Sequence, residues 1–278
     1  MQRVIVHFVR HAQGQHNVPT ENHLQIRDPD LTPLGIEQCE ALAKSFPYHS
    51  QITHLVSSPI RRALYTCLLS FPSSVERGLP ILAFPSAQEF SDYPCDTGSS
   101  VSKLSQEFQG KVDLSLLEDH WNSNTGKWSP HCDAIDARAK ETRRFLRQFG
   151  RDWVRENSDG DRDCHIVVST HGGFLHYVTG EWNGTGGAAG TGWRNCEFRS
   201  FTFAEGDDDQ DARLVELQES RARRPDEKML SEDEHRALRE FAESEWVKGG
   251  YQKLPLPDVS FGMEDTLTLR ASEVEVYA

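Results

Sequence analysis

The chain has 278 residues, 37% apolar and 26% charged, an ordinary balance for a globular protein with one large core or two smaller ones. Its formal net charge of −13 argues against nucleic acid or an anionic membrane as a main partner. No apolar run approaches the ~20 residues of a membrane span, and the 6 cysteines, scattered without a C-x-x-C pair, argue against a zinc or dithiol redox site.

A strand-like run, Val4-Ile5-Val6-His7-Phe8-Val9, begins almost at Met1 and ends in Arg10-His11. No signal-peptide pattern accompanies it, so the expectation is a cytoplasmic protein with reduced thiols. Thr32-Pro33 supplies an N-cap and a first-turn proline for a helix over 33–46. A second strand, Ile52 to Ser57, stops at Ser58-Pro59, and a helix over 60–70 carries Arg61 and Arg62 in its first turn. A short strand near Pro80–Phe84 leads to the loop Gln88-Glu89-Phe90-Ser91-Asp92. Residues 95–130 read as irregular, with one or two short helices.

A long helix comes next over 133–156, with apolar Ile135, Phe145, Leu146, Phe149, Trp153 and Val154 near helical spacing. The run His165-Ile166-Val167-Val168-Ser169-Thr170 is a buried-type strand ending in His171-Gly172-Gly173, with a helix over 173–180 after it. A glycine-rich loop, Gly184 to Gly192, precedes two edge-type strands at 198–204 and 212–217. It comes after a helix rather than a strand, which argues against a nucleotide-binding turn. Strand and helix thus alternate, and the pattern predicts a three-layer α/β/α sandwich with a mostly parallel central sheet. Acidic runs at Asp207-Asp208-Asp209 and at Glu232, Asp233 and Glu234 read as solvated surface. Ser231 with Glu234 forms a capping box that opens an amphipathic helix through about Val247, ended by Gly249-Gly250, with Pro255 and Pro257 beyond. The organisation is one domain over 1–278, with a lid or substrate-side insertion at 93–130 and a C-terminal extension from about 218. The pattern does not choose whether that extension docks on the domain, covers the site or pairs two chains as a homodimer.

Two histidines, His11 and His171, therefore leave two buried-type strands, and in an open α/β sheet ligands bind at strand exits. Each alone is more often a buried histidine satisfying a hydrogen bond. Arg62 sits at a helix N-terminus, where the dipole and free N–H groups favour anions, and the glycines after His171 let backbone N–H groups approach a ligand. Together these point to phosphate-ester chemistry.

The run Val9-Arg10-His11-Ala12-Gln13-Gly14-Gln15-His16-Asn17 resembles the signature of the histidine phosphatase superfamily, in its phosphoglycerate-mutase-like branch. Leu31-Thr32-Pro33-Leu34-Gly35, Ser57-Ser58-Pro59-Ile60-Arg61-Arg62-Ala63 and Thr170-His171-Gly172-Gly173 resemble its later blocks in the same order. Ala12 departs from the family's usual glycine, and is tolerable where the backbone needs no positive φ. The resemblance implies a phosphoglycerate-mutase-like fold and a metal-independent, cofactor-free enzyme acting on a small phosphorylated molecule. It implies His11 as the nucleophile, Arg10, Arg62 and Asn17 as phosphate ligands, Glu89 as the proton donor with Asp92 as its rival, and His171 as a stabiliser of the transferring group. Arg61 is then structural. His-Gly rather than His-Asp at the second histidine block resembles the intracellular branch, and Pro94-Cys95-Asp96-Thr97-Gly98 resembles a stretch of fungal members.

Phosphoglycerate mutases carry a basic, tyrosine-containing segment after the acid block. Here Tyr93 to Ser100 is neutral to acidic, with Lys103 and Lys111 as the nearest cations, so the expectation is a phosphatase acting through a phosphohistidine rather than a mutase. A pocket turned to acid-base chemistry on an organic acid, and a pseudophosphatase binding role, are the alternatives. Residues 93–130 and the loop around Trp193-Arg194-Asn195 are expected on the substrate side, with Trp121, Trp128 and Trp193 either stacking on a substrate or packing the lid.

Overall fold

The computed structural model describes residues 2–185, 191–204 and 210–255. Its regular elements are β1 (Val4–Arg10), α1 (Pro33–Ser45), β2 (Ile52–Ser57), α2 (Arg61–Ser70), α3 (Pro72–Glu76), β3 (Ile81–Ala83), α4 (Val101–Phe108) and β4 (Val112–Asp113). They continue with α5 (Cys132–Glu156), β5 (Cys164–Thr170), α6 (Gly172–Thr179), β6 (Phe198–Phe203), β7 (Leu214–Glu216), α7 (Gln218–Arg221) and α8 (Glu232–Lys248).

The strands form one sheet in the order β4-β3-β2-β5-β1-β6-β7. The first five run parallel, and β6 and β7 each pair antiparallel to the preceding strand in that order. Alternation along the strands sorts their side chains onto two faces. Val6, Phe8, Ile166 and Val168 point into a core shared with α5, α6 and α8. Val9, Leu55 and Val167 point into a second core shared with α1, α2 and α4. Both faces of the central strands are therefore apolar, as parallel sheets covered by helices require, and the architecture is the three-layer sandwich.

The caps read from sequence are present. Thr32 Oγ1 accepts from Gly35 N at 3.0 Å with Pro33 opening α1, and Ser231 and Glu234 close the capping box of α8. Three short elements, α3, β4 and α7, carry too few residues for a periodic signal. The strand at 198–204 is not an edge: β6 lies between β1 and β7, with Phe201 fully buried, and β7 forms the edge. Of the glycine-rich loop, residues 186–190 lie outside the described residues, as do Asp207-Asp208-Asp209 and Pro257.

The C-terminal extension docks on the parent domain. Leu238, Ala242 and Trp246 of α8 join the core against α5 and α6. Arg239 bonds Asp136 of α5, and Lys253 N donates to Pro130 O at 2.9 Å.

The approach of α5 to β1 depends on Gly150, where an added Cβ would lie 2.3 Å from Val4 Cγ1. Gly150→Ala gains helix propensity worth ~1 kcal/mol but overpacks the sheet, a cost of roughly 1–3 kcal/mol. We expect a net loss of stability in urea denaturation; an unchanged or higher midpoint would show that the contact yields freely.

Candidate active site

The register of the sheet builds the site. Arg10 on β1 pairs with Thr170 on β5, and Ser57 on β2 with Ser169. The next residues, His11, His171 and Ser58, consequently leave three adjacent parallel strands at one level. Their backbones are tied there, His11 N donating to Thr170 O at 2.8 Å and Ser58 N to Ser169 O at 2.9 Å. The rings of His11 and His171 stand 5.1 Å apart, centre to centre.

His11 is almost fully buried. Its Nδ1 donates to the Ala12 carbonyl at 2.7 Å, which leaves Nε2 as the nitrogen with the lone pair. Arg62 Nε donates to that nitrogen at 3.3 Å. Burial lowers the His11 pKa well below its ordinary value, and the positive charge of Arg62 adds to the effect. Ala12 is buried without a positive φ, so a methyl group replaces glycine there without strain. Its N–H donates to Thr66 Oγ1 on α2 at 2.9 Å.

Arg62, in the first turn of α2, is 1% exposed. Beyond His11 it donates to Cys95 O at 2.6 Å and to Asp96 Oδ1 at 2.7 Å. Asp96 Oδ2 in turn accepts from Ser91 Oγ. Arg10 donates through Nη1 to Trp193 O, while its Nε is buried with no partner. Gly172 leaves Arg10 room, since a Cβ there would come 3.0 Å from this Nε.

Glu89 is anchored at the start of α6, accepting from Gly173 N at 3.0 Å and Phe174 N at 2.9 Å. Burial raises its pKa to about 7, with the charge of Asp96 adding, against the lowering effect of Arg62 and the two N–H donors. His171 caps the same helix; its Nε2 is 2.7 Å from Ser58 Oγ and its Nδ1 is buried without a partner. Burial and Arg62 also push His171 well below its ordinary pKa.

The other expected residues divide. Asn17 Oδ1 accepts from Gly14 N at 3.1 Å, which folds the loop after His11 back on itself. Arg61 is held by Glu107, through Nε at 2.8 Å, and by Asp30, so its place is structural. Asp92 is paired with Lys253 at 2.7 Å. Trp121 is fully buried in the second core and lies against Gly98; Trp193 is buried beneath the Arg199 guanidinium. Both therefore pack, whereas Trp128 is half-exposed under Lys127. Lys103 and Lys111 are exposed.

Three participants escape the sequence reading. Asp96 lies in the insertion, where it passes for part of a neutral-to-acidic wall. Ser58 is a plain member of its block, and His16 precedes Asn17 with its ring centre 5.4 Å from that of His11. A groove of about 780 Å³ between α1 and the 192–199 and 223–227 segments lies elsewhere: none of Arg10, His11, Arg62, Glu89 or His171 lines it. Among the described residues no three His, Cys, Asp or Glu side chains are grouped to hold a metal ion.

The sequence profile of the histidine phosphatase superfamily (branch 1) matches residues 6–215. The chain belongs to this superfamily. Among its relatives, phosphoglycerate mutase-like protein 1 of Arabidopsis thaliana is 26% identical over 212 residues, covering 62% of this chain and 70% of that one. A phosphatase-named protein of Schizosaccharomyces pombe is 31% identical over 116 residues, 41% of this chain and 54% of its own length. Among solved structures, the ecdysone phosphate phosphatase of Bombix mori in complex with tungstate is similar with a TM-score of 0.50 at 13% identity, over 78% of this chain and 92% of that one, a likeness of fold. Within the histidine phosphatase fold, the strand exits of this chain bring Arg10, His11 and His171 to one level, where Arg62 of α2 and Glu89, anchored at the start of α6, share their electrostatic surroundings.

This electrostatic arrangement has two measurable outcomes. Asp96→Ala leaves Arg62 buried without its counter-charge, and the expected loss of stability is about 3–5 kcal/mol by chemical denaturation. Seven histidines (His7, His11, His16, His54, His165, His171 and His176) have lowered pKa values. The unfolded chain protonates them near pH ~6.5 and the folded chain does not, so stability falls as pH drops below that point. They outnumber Glu89 and Asp28, whose raised pKa values act in the opposite sense. A urea midpoint higher at pH 5.5 than at pH 7.5 would contradict this.

Proposed function

We propose that the chain is a metal-independent phosphatase that hydrolyses a small phosphomonoester through a phosphohistidine on His11. The observation that carries this reading is the tautomer of His11: Nδ1 donates to Ala12 O, so the lone pair of Nε2 faces Arg62 at 3.3 Å. A neutral imidazole held beside two guanidinium groups is an activated nucleophile for a phosphoryl centre. In the first step Nε2 bonds to phosphorus and the P–O bond to the leaving group breaks. Arg10 and Arg62 balance charge on the phosphoryl oxygens, while neutral His171 and the Asn17 amide offer them hydrogen bonds; positioning and electrostatics are most of such catalysis. The leaving oxygen takes the Glu89 proton. In the second step Glu89, now a carboxylate, takes a proton from water; the water oxygen bonds to phosphorus, the P–N bond breaks and phosphate leaves.

The raised pKa of Glu89 supports its role as the acid, since a pKa of about 7 leaves a protonated fraction near neutrality. The same role for Asp92 is not supported, because Lys253 holds it. Hydrolysis is favoured over mutase chemistry by Asp96, which puts a carboxylate beside Arg62 in the segment where a mutase needs cations for a second anionic group. The free state of Cys39, Cys67, Cys95, Cys132, Cys164 and Cys196 supports a cytoplasmic location, and no described helix is long and apolar enough to cross a membrane.

A panel of phosphorylated metabolites assayed against wild type and His11→Ala tests the reading. Phosphate release that is abolished in the variant, with a phosphohistidine trapped by rapid quench in wild type, is the expected result. No release from any ester and no trapped phosphoenzyme would sink it. Glu89→Gln should cost roughly 10²–10⁴-fold in kcat/KM on an alkyl ester, and far less in kcat/KM on an activated aryl ester, whose leaving group needs no proton in the phosphoryl-transfer step. In wild type the alkyl-ester rate should fall as pH rises above about 7, where Glu89 loses its proton, and a flat profile to pH 9 would exclude Glu89 as the acid.

A further inference from the structure

His16 has no task in the phosphoryl-transfer steps, yet its surroundings are those of a working group. It lies on the single turn Gln15–Asn17 just after β1 and is 8% exposed. The turn is fixed from both sides: Asn17 Oδ1 accepts from Gly14 N, and His23 Nδ1 donates to the His16 carbonyl. The ring presses on Gly14, where a Cβ would come 2.8 Å from Nδ1 and 2.9 Å from Cε1. Glycine is therefore required at 14 for this ring to sit beside His11.

The two ring nitrogens are not equivalent. Nδ1 is buried with no hydrogen-bond partner. Nε2 also bonds to no described residue but is absent from the buried, unpartnered atoms, so it is the ring nitrogen that keeps some access to solvent. Burial, with Arg62 and Arg10 adding, lowers the His16 pKa to about 2, so the ring is neutral and carries one proton. Placed on Nδ1, that proton would be a buried donor without an acceptor, a cost of roughly 1–3 kcal/mol. Placed on Nε2, it stays free to meet water or a bound oxygen. His16 thus complements His11: one ring presents a lone pair and the other an N–H, with centres 5.4 Å apart at 41°.

We propose that His16 donates its Nε2–H to an oxygen of the phosphoryl group held between His11, Arg62 and His171. The inference rests on the phosphatase reading and adds to it a neutral third histidine that bonds the transferring group without contributing charge.

Two measurements test it. In ¹⁵N-histidine NMR of the wild-type chain, titration with inorganic phosphate or orthovanadate should shift the Nε2–H of His16 together with the signals of His11. His16→Phe keeps an aromatic ring and removes the donor; it should lose roughly ten- to a hundredfold in kcat and in orthovanadate affinity, the worth of one hydrogen bond to a charged group. His16→Gln, whose amide N–H reaches the position of Nε2, should recover most of that loss. If His11 responds to the oxyanion while His16 does not, or if the Phe variant matches wild type, the inference fails and the phosphatase reading stands. If neither histidine responds and no ester is hydrolysed, both fall together.

Discussion

The buried guanidinium of Arg62 is the constraint around which the site is organised. A charge at 1% exposure is tolerated only when it is paired and fully bonded, and Arg62 meets that condition through three different segments. It reaches back to His11 at the end of β1, across to Asp96 and to the Cys95 carbonyl in the insertion, and it is planted in α2. The same contacts dictate the state of the histidines. His11 cannot take a proton on Nε2 facing Arg62, so its basic nitrogen stays free for bond formation. An acidic chain with a net charge of −13 thus concentrates its positive charge in a dry pocket, where it acts most strongly.

The sequence shows the frame of this site more clearly than its walls. Val4–Val9 and His165–Thr170 announce buried strands, because parallel strands covered on both faces are continuous apolar runs. Residues just past two such strands in register are bound to share a level. That is why His11 and His171 could be paired, and why the capped starts of α1 and α8 fall where Thr32 and Ser231 put them. Asp96 was illegible for the opposite reason. Its partner Arg62 is 34 positions away on α2, while Asp96 itself lies in an irregular segment with no period, where a carboxylate carries no sign of what it faces. His16 was hidden by its neighbour, since Asn17 carries the resemblance to the family and the ring next to it does not. Trp121 and Trp193 show the limit of composition: an aromatic ring in an insertion is equally suited to a ligand and to packing, and only the void left by Gly98 and the stacking of Arg199 decide for packing.

Glu89 is set against these neutral rings. Burial keeps its proton on until near neutrality, whereas the same burial strips the histidines of theirs. Desolvation penalises charge of either sign, so the same burial yields uncharged bases and an uncharged acid. The arginines then supply the only permanent charge in the network besides Asp96, and the site is prepared for an anion rather than for a cation.

The residue after Glu89 carries a consequence for the C-terminal helix. Phe90 occupies the space that Gly173 leaves by lacking a side chain, and its ring centre is 5.2 Å from that of Trp246 on α8 and 5.9 Å from that of Tyr177 on α6. Glu89 is thereby clamped, with a helix start gripping its carboxylate and an aromatic stack bracing its backbone from behind. An appendage in the sequence is, in space, a splint for the acid. A chain ending before Ser231 would retain Arg10, His11, Arg62 and His171 and still lack the wall that Glu89 leans on.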